Sequence, residues 1–165
     1  MNTPNTQTVR ELVIDELTSE AFASFGTVVA PQPDGTPFGS GDASLELSGG
    51  TPRLYTMQIP GRGLAFHVIT HHKRVTQALG SAGGHEWFVA VAPPGELDAE
   101  RIRAFRIPAD TAIVLYAGTW HAGPLFEGDD RSFFNLELSD TNEVDHHSID
   151  LAERDGMSLQ LVANP

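Results

Sequence analysis

Cysteine is absent from the 165 residues, which excludes a disulfide framework and thiol chemistry. Long apolar runs are absent too, and none approaches the roughly 20 residues that span a bilayer. The opening residues, Met1-Asn-Thr-Pro-Asn-Thr-Gln7, carry no basic segment and no apolar segment, so no signal peptide is expected and the expected location is cytoplasmic. Positive charge is scarce: 10 Lys and Arg stand against 22 Asp and Glu, a net charge of −12. That balance argues against nucleic acid or an anionic membrane surface as a partner. It leaves room for an anionic small-molecule substrate, because a few Arg or His residues can reverse the field inside a cavity. Heptads, internal repeats and a dividing linker are also missing.

What remains is a globular composition, 40% hydrophobic and 19% charged, in a chain of a length that suits one domain with a sizeable core. One domain over residues 1–165 is therefore expected, with about residues 1–8 loose. Short β-branched and apolar runs recur at about ten-residue intervals, separated by Gly, Pro, Asp and Ser. They fall at Arg10–Ile14, Thr27–Ala30, Arg53–Ile59, Leu64–His72, Arg74–Leu79, Glu86–Ala92, Ala104–Ile107, Thr111–Tyr116 and Ser132–Leu138. This is the pattern of an all-β barrel or sandwich. Two short helices are expected beside it, Thr18–Phe25 with Thr18 or Ser19 as cap and Gly26 as stop, and Asp98–Arg103. Pro31–Gly50 reads as a long loop, expected over a barrel mouth or at a contact between two copies. Trp87 and Phe88 read as core, His85 and Asp129-Asp130 as exposed turns.

Chemistry concentrates on histidine. Seven are present, at His67, His71-His72, His85, His121 and His146-His147. The run Thr111-Ala-Ile-Val-Leu-Tyr116 reads as a buried strand, Gly118 punctuates it, and a strand resumes past Pro124. Gly118-Thr-Trp-His121 thus places an imidazole just after a tight turn, aimed into whatever the sheet encloses. In the run Leu64–His72, alternation puts Phe66, Val68, Thr70 and His72 on one face and His67, Ile69 and His71 on the other. The apolar pair Phe66 and Val68 marks the inward face, which favours His72 over His71 as the cavity residue. Asp145-His146-His147 pairs a carboxylate with imidazoles, but neighbours on a strand point to opposite sides and cannot all converge without a turn.

Gly-x-x-His at Gly118–His121 is the core of the second cupin motif. The first cupin motif, laid on this chain, puts its two His positions at Thr70 and His72, its Glu at Gln77 and its closing Gly at Gly84. Two of the usual four metal ligands therefore survive as imidazoles. A divalent metal, if bound by His72, Gln77 and His121, is weakly held, since Gln is a neutral and poor ligand. Otherwise no cofactor is expected, and His72 and His121 serve as bare acid–base groups.

Over Leu17–Leu151 the chain resembles the ureidoglycolate lyase family, of cupin fold. The marks are Leu17-Thr-Ser-Glu-Ala-Phe-Ala-Ser-Phe-Gly26, His72 with Thr76-Gln77-Ala78, and Trp120-His121 before Pro124-Leu125. It departs from that family at Tyr116-Ala117, where a His-Arg pair is usual, and at Glu137-Leu138, where Asp-Arg is usual. The family's Asn-Gly and Arg-Phe/Tyr-His-Asp segment is not recognisable between Pro37 and Tyr55. The resemblance implies an antiparallel β-barrel, a homodimer, and the release of urea and glyoxylate from ureidoglycolate, a step of allantoin degradation in purine catabolism. Catalytic roles are expected for His72, His121 and Tyr116. Substrate-binding roles are expected for Gln77, Arg53, Glu137 and Trp120. The rival readings are a non-enzymatic cupin that binds a small metabolite and a metal-dependent cupin isomerase or dioxygenase.

Overall fold

The computed structural model describes residues 7–165. The expectation of a loose N-terminus falls mostly on residues outside that range, and Thr8 already belongs to the first strand, β1 (Thr8–Glu16). The class is all-β, as expected. Among the described residues β-branched and aromatic runs form thirteen strands, and the helices are short.

The strands build two sheets that curl into a half-barrel. The smaller sheet joins β2 (Gly26–Val29), β9 (Ala112–Leu115), β6 (Gln77–Ser81), β11 (Arg131–Leu138) and β3 (Pro52–Ile59), in that order. The larger one runs β12 (His147–Asp150), β5 (Val68–His71), β10 (Trp120–Leu125), β7 (Trp87–Ala92), β8 (Arg103–Ile107), β1, β13 (Met157–Val162) and β4 (Ala65–Phe66). Its centre explains the unbroken apolar run at Trp87–Ala92. β7 lies between β10 and β8. Trp87, Val89 and Val91 enter the core that also holds Phe22, Phe25, Phe105 and Phe133. Ala90 and Ala92 enter a second core with Phe66, Trp120 and Leu151. A strand buried on both faces has no polar side to alternate with.

Several expectations are corrected. The barrel is not wholly antiparallel, because β1 pairs in parallel with both β13 and β8. The run Leu64–His72 is not one strand. It changes partners at His67: β4 pairs with β13, and β5 with β10 and β12. The run Arg74–Leu79 becomes a strand only from Gln77. The reason is that the N–H groups of Lys73 and Arg74 donate to the Asp145 carboxylate, at 2.9 and 2.8 Å, instead of to a neighbouring strand. The first helix is shorter than expected, α1 (Ser19–Phe22), with the Thr18 hydroxyl accepting from the Ala21 N–H at 3.0 Å. Ala99–Arg101 makes one 3₁₀ turn capped by Asp98. The strands β12 and β13, with the helices α2 (Thr141–Val144) and α3 (Leu151–Asp155) beside them, lie where the sequence reading placed only isolated residues.

Pro31–Gly50 is irregular, as expected. Its second half is tied down by the Glu46 N–H to the Thr76 hydroxyl and by the Arg74 guanidinium to the Gly49 carbonyl. None of its residues lines the cavity described next. Among the described residues no helix is long and apolar enough to cross a membrane.

Candidate active site

A cavity of about 610 Å³ opens between the two sheets. β5 and β10 supply its imidazole wall. In the antiparallel register His121 stands opposite Thr70, and residues opposite one another share a face. His72 lies two residues beyond Thr70, so it returns to that same face. Phe66, Val68, Thr70, His72 and His121 all line the cavity, which is the face that alternation assigned. The His72 and His121 ring centroids are 5.1 Å apart.

The turn before β10 aims His121. Gly118 holds φ at +87°, in the left-handed region that glycine occupies without steric cost. Its N–H donates to the His72 carbonyl at 2.6 Å. The Thr119 hydroxyl donates to the Phe25 carbonyl at 2.8 Å. One turn is thus bonded to the segment that carries the other imidazole.

Each imidazole has its tautomer set by a backbone carbonyl, which can only accept. His72 donates Nδ1–H to the Asp145 carbonyl at 2.7 Å, and His121 donates Nδ1–H to the Thr119 carbonyl at 3.2 Å. Both Nε2 atoms therefore keep a lone pair. Burial lowers both pKa values. His121 falls from 6.5 to about 3, first through burial and then through the neighbouring His72. His72 is lowered by burial too, partly offset by its bond to the Asp145 carbonyl. Two neutral imidazoles thus share one wall near pH 7.

Gln77 also lines the cavity. Its amide N–H groups face acceptors, Asn135 Oδ1 at 3.2 Å and Glu137 Oε2 at 3.5 Å. That fixes the amide orientation and leaves Gln77 Oε1 buried without a partner among the described residues. Glu137 is buried behind Gln77, and burial raises its carboxyl pKa.

The other expected residues fall elsewhere. Tyr116 lies in the turn before β10, 42% exposed and outside the cavity lining. Trp120 is on the opposite side of β10 from His121. It stacks on His71 at 3.6 Å between centroids and donates its Nε1–H to the Gly95 carbonyl. Arg53 stands opposite Glu137 in the strand register and lies over the Tyr55 ring at 3.7 Å, also outside the lining.

The lining also holds polar residues to which the sequence analysis assigned no role, His146, Asn142 and Arg62 among them. His146 places its ring 5.5 Å from that of His72. Its neighbour Asp145 is a buried brace whose carboxylate takes the Lys73 and Arg74 N–H groups and faces His147 Nε2 at 3.3 Å. Of the Asp145–His147 triplet only His146 enters the cavity, the divergence that adjacency requires. Asn142 and Arg62 also line the cavity, from the start of the segment before β12 and from the connection between β3 and β4. Only the surplus of donors at one locus, Asp145-His146-His147, could have pointed to any of them.

Among the described residues no three His, Asp or Glu side chains are grouped to hold a metal ion. His72 Nε2, His121 Nε2 and Gln77 Oε1 are the available donors, and no carboxylate lines the cavity. Two neutral imidazoles and an amide, with no carboxylate beside them, fit a divalent ion poorly and would hold one only weakly.

This geometry sits in a chain with clear relatives. The family model described as ureidoglycolate lyase matches residues 9–154. A protein of Burkholderia mallei named ureidoglycolate lyase is 32% identical over 141 residues, covering 78% of this chain and 83% of the relative. Similarly named proteins of Stutzerimonas stutzeri and Pseudomonas syringae are 27% and 26% identical, covering 68% and 84% of this chain and 74% and 90% of the relatives. With its two carbonyl-anchored imidazoles on one cavity wall, the chain belongs to the ureidoglycolate lyase family.

Proposed function

We propose that this protein is a lyase that releases urea and glyoxylate from ureidoglycolate or cleaves a closely related small ureido carboxylate. One observation carries the reading. His72 and His121 have their Nδ1–H groups tied to backbone carbonyls and their Nε2 lone pairs left free on the same wall. An imidazole held this way is neutral at pH 7 with Nε2 open to a proton or a hydrogen bond, and of the two His72 is the stronger base, since His121 is lowered to about 3.

The carbinol O–H proton of the substrate passes to Nε2 of His72. The oxygen electron pair forms the C=O of glyoxylate as the C–N bond breaks. The departing urea nitrogen keeps that bond's electron pair and takes a proton back from the imidazolium, so no net proton is consumed. His121, held neutral, accepts a hydrogen bond from the reacting group through Nε2, and the Asp145 carbonyl on Nδ1–H supports the transient imidazolium of His72. Gln77 Oε1 accepts an N–H of the ureido group. A divalent ion held by His72, His121 and Gln77 would polarise the substrate oxygen, but the proton steps above use only the chain's own groups. A coupled assay for glyoxylate release from ureidoglycolate tests the reading. A turnover indistinguishable from buffer would end it.

We also propose that the protein pairs with a second copy through the outer face of the five-stranded sheet. β3 is an edge strand there, and Leu54 and Phe134 stand out from that face at 68% and 51% exposure. Open apolar edges favour association. Light scattering at micromolar concentration is expected to give twice the 17.8 kDa chain mass, and Phe134→Glu the single mass. A monomer in the unmodified protein would refute the pairing.

A further inference from the structure

We propose that Arg62 is the anion anchor of the cavity, and that it selects small monocarboxylates carrying N–H donors at their other end. The inference rests on the lyase reading for the reaction, though not for the binding.

The argument begins with charge. The chain carries a net −12, yet no Asp, Glu or Lys lines the 610 Å³ cavity. Among the described residues its lining holds one permanent cation, Arg62, beside four imidazoles. No carboxylate among those residues stands in the lining itself; Glu137 lies behind it against Gln77 and Asn142, and Asp130 lies against Gln58. Asp150, near the rim, is occupied by His67 Nδ1 at 3.1 Å.

Arg62 itself is uncommitted. Among the described residues it makes no ion pair, whereas six of the other eight arginines do or donate to a backbone carbonyl. Its five guanidinium donors suit a carboxylate, which they can hold by two parallel hydrogen bonds.

The backbone beneath it is pinned. Gly61 packs so closely on the Gly128 carbonyl that a Cβ there would lie 1.9 Å from the oxygen. Gly63 donates its N–H to the Phe126 carbonyl at 3.0 Å. Both neighbours of Arg62 are therefore fixed to the connection between β10 and β11. This limits the conformational entropy that an arginine on a free loop would lose on binding.

The rim and the floor are complementary. Arg62 is exposed and gives donors. The buried His72, His121 and Gln77 give acceptors, among them the partnerless Oε1 of Gln77. The matching ligand has a carboxylate at one end and N–H or O–H groups at the other.

The experiment uses oxamate, a small carboxylate with an amide, and its uncharged counterpart oxamide, with binding followed by calorimetry on the full chain. The unmodified protein is expected to prefer oxamate. Arg62→Gln should lose at least about tenfold in oxamate affinity and leave oxamide unchanged. Arg62→Lys should recover part of the loss, since it restores charge without the fork. Arg101→Gln, at an exposed site away from the cavity, should retain full affinity. Equal oxamate affinity in Arg62→Gln, or no preference for oxamate in the unmodified protein, overturns the anchor. With ureidoglycolate, Arg62→Gln should raise KM by a similar factor and change kcat little, the mark of binding lost equally in ground and transition states. No glyoxylate from the unmodified protein, with Arg62-dependent oxamate binding intact, would remove the lyase reading and leave the anchor standing. Normal turnover with KM unchanged in Arg62→Gln would do the reverse.

Discussion

His71 and His72 are neighbours, both are buried, and burial lowers the pKa of both. They nonetheless belong to different parts of the molecule. His72 faces the cavity with Nε2 free. His71 faces away, stacked on Trp120, with its Nδ1 on the Gly118 carbonyl at 3.2 Å. A depressed imidazole pKa therefore does not identify a functional residue here. The distinguishing fact is which side of β5 the ring leaves from, toward the cavity shared with His121 or toward the Trp120 stack.

Variants can sharpen that contrast. The largest effect is expected at the cavity wall. His72→Ala should lose at least about a hundredfold in turnover, the usual scale for a lost acid–base group, and His121→Ala about tenfold, for a lost hydrogen bond, with circular dichroism unchanged in both. Near-normal turnover in His72→Ala would take the imidazole wall out of the reaction.

A second effect is on stability against pH. The folded-state pKa of His121 is about 3 against 6.5 for the free side chain. A depressed value means that the unfolded chain binds the proton first. Stability from this source is therefore complete above pH 6.5 and is lost as pH falls toward 3. At pH 5 the loss from His121 alone is about 2 kcal/mol, and His71 and His72 act in the same direction. Asp145 and Asp150, lowered from 3.8, contribute only at more acid pH. Melting temperature compared at pH 7.5 and 5 should fall less in His121→Gln than in the unmodified protein, and an equal fall would contradict the buried neutral imidazole.

On the far side of β5 the expectation reverses. His71→Ala should cost about 1–3 kcal/mol in chemical denaturation, from the lost stack and the space left behind, while turnover stays within a few-fold. A hundredfold rate loss there would mean that the wrong ring was assigned to the reaction. The smallest change is expected at His85, exposed in the turn between β6 and β7. Its replacement by Ala should stay within about 0.5 kcal/mol and leave the rate alone.

Local rules carried the sequence reading wherever a feature depends on its near neighbours. Alternation found the inward face of His72, the glycine at 118 found the turn, and the apolar run found the doubly buried β7. Alternation also separates Trp120 from His121, although the sequence reading gave both to the site. What stayed hidden depends on partners far along the chain. His146 reaches the cavity because the Asp145 carboxylate grips the N–H groups of Lys73 and Arg74, 72 and 71 residues away. The same grip delays the strand at 74–79, so one distant bond caused two misreadings. Arg62 drew no notice because nothing nearby in sequence shows where Phe126 and Gly128 lie.

The parallel pairing of β1 with β13 has a consequence for the order in which the protein assembles. Thr8–Val13 lies against Met157–Val162, and only Ile14–Glu16 of β1 finds its partner in β8. On the ribosome, then, the first strand waits with most of its ladder open until residues 157–162 have emerged. Contacts so distant in sequence are slow to form, and an unpaired strand is exposed to foreign edges meanwhile. Val9 and Val13, still partly exposed after folding, are the residues through which a nascent chain would stray. A cell making this protein has reason to shield its beginning until its end is ready.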